Sequence, residues 1–194
     1  MKIWELQATG NSNLGVAPGD LRYFHDHFVG APMSSKWELP PLEILGKTKK
    51  LRDFVSWIAQ APLVSLKAKS LIEELCGDDV EFLRFHDLNG KPYFAMNVLR
   101  VEDYVDLRKC ETTNYNSGEL IDIVTYGFRE DLPGFLPTIF KEPLCLNTIF
   151  VTEAFAAMAV NSSLTGLALA DPSVRQLSLA IHDVDSNVVP GIIT

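Results

Sequence analysis

The segment that most constrains the fold is "VEFLRFHDLNGKPYFAMNVL", residues 80–99. Asn89-Gly90 is the dipeptide that tight two-residue hairpins favour, and it sits between two apolar runs. Val80, Phe82, Leu83 and Phe85 form the first run. Pro92 has no backbone N–H to give a ladder, so the returning strand is expected to begin at Tyr93. From there Tyr93, Ala95 and Asn97 alternate with Phe94, Met96 and Val98, the pattern of a strand with one face in the core. An antiparallel pair is therefore built into the middle of the chain.

The surrounding elements follow from periodicity. In "SLKAKSLIEELCG", Ala68, Leu71, Ile72, Leu75 and Cys76 share one helical face. Ser65 is placed to cap this helix, and Gly77 stands where a left-handed residue ends one. A second helix is expected over "TEAFAAMAVNSS", with Thr152 as cap, Glu153 at the positive end of the dipole, and Phe155, Met158, Ala159 and Ser162 on one side. Strands are expected in "GELIDIVTYGF" through Ile121, Ile123 and Val124, in "TIFK" and "TIFV" on either side of "EPLCLN", and in "TGLALAD" after a glycine turn. "KIWEL" reads as an edge strand, "ATGNSNLGVAPGD" as loop, and "WELPPLEIL" as at best an edge strand or extended arm. This order gives an α+β fold: a largely antiparallel sheet, two main helices and an irregular N-terminal arm.

Composition bounds the class. The chain has 194 residues, 47% hydrophobic and 22% charged, enough for a substantial core without metal or disulfide. Lys plus Arg number 17 against 25 Asp plus Glu, a formal charge of −8. That argues against a nucleic-acid partner, which needs a basic face, and suits a basic protein partner. Cys76, Cys110 and Cys145 are odd in number and widely spaced, as expected in a reducing compartment. Glu5 interrupts the N-terminus too early for a signal peptide, and no apolar run reaches membrane length. The expectation is a soluble, cytoplasmic protein with no membrane partner.

A search for chemistry finds no GxSxG elbow, no phosphate-binding loop and no dinucleotide fingerprint. In "GNSNLG" two glycines have suggestive spacing, but the Lys and hydroxyl that would hold a nucleotide are missing, so it reads as a turn. His25 and His27 flank Asp26 and, on a strand, would face the same way as two metal ligands do, with a third from His86 or Asp87, or from His182 or Asp183. A polar surface patch explains the same letters. Cys110 lacks a nucleophile's local signature. Glu102, Asp103 and Asp106 could supply an acid and a base only if one were desolvated, and a solvated turn predicts the same residues. No catalytic, cofactor or metal residue is assigned, and the chain is not expected to be an enzyme.

Charge distribution says more. Between Glu73 and Asp106 nine acids face only Arg84, Lys91 and Arg100, six net negative charges. If the helix end packs against the hairpin, Glu73, Glu74, Asp78, Asp79, Asp87, Glu102, Asp103 and Asp106 form an acidic partner-binding face. Around the last three, Val101, Val105 and Leu107 are expected to face the core and the acids to face water or a partner.

The landmarks also have a recognisable order. "LRDF" at residues 51–54 precedes "LVSLKAKSLIEELCG"; then come "EFLRFHDLNGKPYFAMNVLRVEDYVDL", "TIF", "IFVTEAF" and "SSLTGLAL". In this order the chain resembles bacterial immunity proteins of the Imm11 type, from about Trp37 to Ala170. It departs from them at Cys110, where the pattern has a serine, and the chain from Asp171 onward is additional. The resemblance implies an irregular arm over residues 1–36, an immunity-like domain over 37–170 and a C-terminal extension over 171–194. It also implies a protein that binds and neutralises a cognate toxin in the same cell, without catalysis and without a cofactor. A metal-dependent hydrolase using His25, His27 and the carboxylates near Asp103, or a general interaction subunit pairing through its second helix, are the alternatives.

Overall fold

The computed structural model describes residues 2–9, 14–16, 27–44, 51–58, 61–115 and 120–174. Among these residues it is an α+β fold of antiparallel sheets and two α-helices. The strands are β1 (Ile3–Ala8), β2 (Leu14–Val16), β3 (Leu42–Ile44), β4 (Phe54–Ile58), β5 (Ala61–Ser65), β6 (Val80–Leu88), β7 (Lys91–Val98), β8 (Glu111–Asn114), β9 (Leu120–Thr125), β10 (Ile139–Glu142), β11 (Cys145–Thr152) and β12 (Leu167–Ala170). The helices are α1 (Leu66–Cys76) and α2 (Glu153–Asn161). One sheet runs β10-β11-β1-β12 and a second β4-β5-β7-β6, while β2-β3 and β8-β9 are two-stranded ribbons.

The central hairpin forms as its sequence demands. Asn89 and Gly90 both take positive φ, 51° and 72°, the geometry of a two-residue turn that follows the strand twist. The returning strand starts at Lys91 rather than at Tyr93, because Pro92 does no harm there. Pro92 lies opposite Asp87, one pair beyond the Leu88–Lys91 closing pair, so its nitrogen faces away from β6. On that side β5 has already ended, with Ser65 opposite Tyr93.

The expected one-sided strand is instead covered on both faces. Tyr93 and Ala95 join a cluster with Phe28, Met33, Leu83 and Phe85. Met96 and Val98 join the main core, which lies between the sheets and takes in Ala68, Ile72, Val151 and Phe155. A third cluster, with Phe140, Phe150, Tyr126 and Val105, lies on the far side of the first sheet. Three apolar layers thus alternate with two sheets. The second layer exists because residues 28–36, expected to be part of an irregular arm, and Trp37 just after them lay Phe28, Met33 and Trp37 over the hairpin.

"KIWEL" is likewise not at an edge. β1 sits between β11 and β12, pairing Trp4 with Val151 and Leu6 with Leu169. Alternation reports a strand but not its neighbours, and both neighbours here come from beyond residue 144. The "EPLCLN" connection shrinks to Pro143-Leu144, because Cys145 already pairs with Glu142. Of the "GNSNLG" stretch, residues 10–13 lie outside the described residues, and Leu14–Val16 is β2.

α1 is capped at both ends as expected. The Ser65 hydroxyl accepts the Ala68 N–H at 3.2 Å, and Gly77 takes a φ of 53°. Asp53 supports the cap: one carboxylate oxygen accepts from the Ser65 hydroxyl at 2.8 Å, and the other from the Thr165 N–H and hydroxyl. α2 follows β11 directly, and Thr152 stands at its N-cap position without a side-chain cap bond. Its buried side is Phe155, Ala156 and Ala159, one residue round from the expected face, and Met158 is only partly buried.

The turn from α2 into β12 passes so close to β4 that a Cβ on Gly166 would lie 2.2 Å from the Phe54 carbonyl oxygen, at a φ of +79°. Gly166→Ala is therefore expected to cost about 3 kcal/mol in urea unfolding, from strain plus a forced backbone shift. Gly90→Ala, with positive φ but open space around it, should cost about 1 kcal/mol.

Candidate partner-binding surface

Two residue sets lie at opposite ends of the hairpin. Val80 pairs with Val98 at one end and Asp87 with Pro92 at the other. Seven residues of strand separate Val80 from Asp87, about 23 Å. The single acidic face expected from the sequence is therefore divided, and Asp87 stands apart from the helix end. At the near end, the Asp79 carbonyl accepts the Leu99 and Arg100 N–H groups at 2.8 and 3.3 Å. That contact sets the turn after α1, Gly77–Asp79, beside the hairpin exit that carries Glu102.

Most of the expected acids meet a cation of the same chain. Glu73 pairs with Lys69 one turn back, Asp87 with Arg84, and Glu102 with Arg100. Asp103 lies 3.5 Å from the Arg129 guanidinium, which also holds Asp131 at 3.0 Å. Asp106 caps the turn Leu107–Lys109, accepting the Arg108 N–H at 3.1 Å and both arms of its guanidinium at 2.9 Å. Those bonds hold the Asp106 carboxyl below the ordinary carboxylate range. Among the described residues Glu74, Asp78 and Asp79 have no ion-pair partner. They sit where the last turn of α1 already presents the negative end of its dipole.

Glu102, Asp103 and Asp106 thus point to three different arginines and do not converge. Val105 is buried and Val101 half-buried, as expected, but Leu107 is 42% exposed because it opens a surface turn. The Cys110 thiol is held by backbone, donating to the Asp106 carbonyl and accepting the Gly127 N–H, each at 3.3 Å. His86 Nε2 donates to the Pro40 carbonyl at 2.6 Å. No three metal-ligating side chains converge among the described residues, and His25, His182 and Asp183 lie outside them. No described helix is long and apolar enough to cross a membrane.

No protein-family model matches this chain. No curated protein matches it either.

Sequence reasoning passed over the two charges that organise this region. Lys141 and Glu142 are adjacent on edge strand β10 and both are fully buried. The Lys141 Nζ donates to the Phe28 carbonyl at 2.5 Å, and burial pushes its pKa from 10.5 down to about 7. Glu142 Oε2 accepts the Tyr104 and Val105 N–H groups at 3.0 and 3.1 Å, inside the acidic passage itself. Burial raises the Glu142 carboxyl above its ordinary value, against those hydrogen bonds. Among the described residues its other oxygen, Oε1, has no hydrogen-bond partner. The signal was present in "TIFKEPL", where two charges follow the apolar residues of a strand.

These shifts make opposite contributions to stability against pH. The Lys141 contribution is full above 10.5 and is lost as pH falls toward about 7, because the unfolded chain takes the proton first. The Glu142 contribution is full below its ordinary value of 4.5 and is lost as pH rises through its raised folded value. In urea unfolding across pH, Lys141→Met should flatten the alkaline rise and Glu142→Gln the fall above the acid end. Unchanged curves in both variants would contradict the assignment.

Proposed function

We propose that this chain binds and neutralises a cognate bacterial toxin without chemistry of its own. The observation that carries this reading is the ordered set of landmarks from Trp37 to Ala170 that resembles the Imm11-type immunity proteins. The surface electrostatics support it. The fold neutralises its other expected acids internally yet leaves Glu74, Asp78 and Asp79 unpaired among the described residues, at the helix end where negative charge is least favourable. An acidic patch of that kind suits a partner with a basic cleft, whose encounter it would speed and orient. In this reading the protein works in the cytoplasm beside its toxin, in keeping with its three free cysteines.

The direct test is capture of partners from the host's own lysate by the tagged full chain, with the bound species identified by mass and the metal content of the same sample measured. One stoichiometric partner carrying a toxin domain, retained in moderate salt, is the expected result. Stoichiometric zinc and no partner would overturn it in favour of the hydrolase. With the toxin in hand, the triple variant Glu74→Gln, Asp78→Asn, Asp79→Asn should associate about tenfold more slowly at low salt and converge with the parent at high salt. An unchanged low-salt rate would remove these acids from the interface.

A further inference from the structure

The second sheet ends on a nine-residue strand, β6, with no strand among the described residues on its outer side. Such an edge presents unpaired backbone groups that another chain can pair with. Here residues 31–40 run beside it and bond to it through side chains. The Trp37 indole N–H donates to the Arg84 carbonyl at 2.7 Å, as a neighbouring strand's amide would. Glu81 accepts the Met33 and Ser34 N–H groups, both at 2.8 Å. Asn97, opposite Glu81 on β7, donates to Glu81 at 3.0 Å and to the Ala31 carbonyl at 2.9 Å. At the far end His86 Nε2 holds the Pro40 carbonyl.

The strap is anchored ahead of these bonds. Phe28 is fully buried at a φ of 61°, a conformation that costs a bulky residue stability and persists only where its surroundings enforce it. Its ring meets Trp37 and Trp57 edge-on, and its carbonyl takes the Lys141 ammonium. Gly30 then passes so near the hairpin exit that a Cβ would lie 2.3 Å from the Val101 side chain. Met33 and Pro40 are buried, while Ser34, Ser35 and Lys36 between them are exposed.

We infer that residues 31–40 are an edge guard: they occupy the outer side of β6 with side-chain hydrogen bonds and so keep it from pairing with a second copy of this chain. Arg84 turns its backbone outward to Trp37, and with the two-residue period of a strand Phe82 does the same. These are the groups that an antiparallel β6–β6 pairing, related by a two-fold axis, would use.

The test uses the full chain carrying Trp37→Phe with Glu81→Gln, which removes the indole donor and the carboxylate charge while keeping an aromatic ring at 37 and the side-chain shape at 81. Sedimentation velocity over a concentration series should show self-association strengthened about tenfold or more relative to the parent. Hydrogen exchange should show the Met33 and Ser34 amides released, and the Phe82 and Arg84 amides protected as concentration rises. A released strap with unchanged mass would overturn the proposal. So would a dimer that leaves Phe82 and Arg84 exchanging freely, or a strap that stays protected. If the double variant does not fold, Trp37→Phe alone makes the same test at smaller amplitude.

Discussion

The fold depends on how the first sheet's edge strand is sealed. At Lys141 and Glu142 the chain buries two charges side by side on β10, an arrangement that is stable only where each finds strong hydrogen bonds. Lys141 reaches back to the turn at Phe28, 113 residues earlier in the chain. Glu142 grips the backbone at Tyr104 and Val105. Between them, the main chain of Lys141 bonds to Arg100 and Glu102 at 2.8 and 2.9 Å. The N-terminal turn, the hairpin exit and the edge of the first sheet are thereby one joint. Through Phe28 it also positions the residues that cover the hairpin's second face.

This joint explains the passage around Asp103 and Asp106. Its backbone is bound to β10 and to the segment at Gly127 and Phe128, so its acids are carried on the outside of a fixed frame. Their arrangement is one of support. Asp106 caps a turn, Asp103 meets Arg129, and Glu102 meets Arg100. A catalytic acid needs a desolvated carboxyl near its partner base, and the desolvated carboxyl here is Glu142, which is already committed to two backbone amides.

The distribution of charge separates two uses of acidic residues. Glu81 and Asp53 hold backbone and hydroxyl groups across long sequence separations and belong to the architecture. Glu73, Asp87 and Asp103 are exposed and locally balanced, and such surface pairs contribute little to stability, while Glu102 and Asp106 are largely covered and brace their own segment. That leaves Glu74, Asp78 and Asp79 at the end of α1 without an ion-pair partner among the described residues, and that end is the part of the molecule on which the proposed partner would act.

Local elements were legible because their physics is local. Ser65 and Gly77 bounded α1, Asn89-Gly90 set the hairpin, and Gly166 marked the turn into β12. What failed to show was anything set by distant neighbours. "KIWEL" became an interior strand only because β11 and β12 arrive on both sides of it, and the supposed arm became a core layer because Lys141 and Glu81 hold it there. The acids read as one face were parted by the length of β6, which no letter count contains. The sequence by itself determined the helices, the hairpin, the α+β class and the excess of negative charge, through caps, turns and periodicity that act over a few residues. The tertiary structure alone decided which edges are sealed, which charges are buried and which acids remain unpaired, because those depend on contacts between residues that lie tens of positions apart.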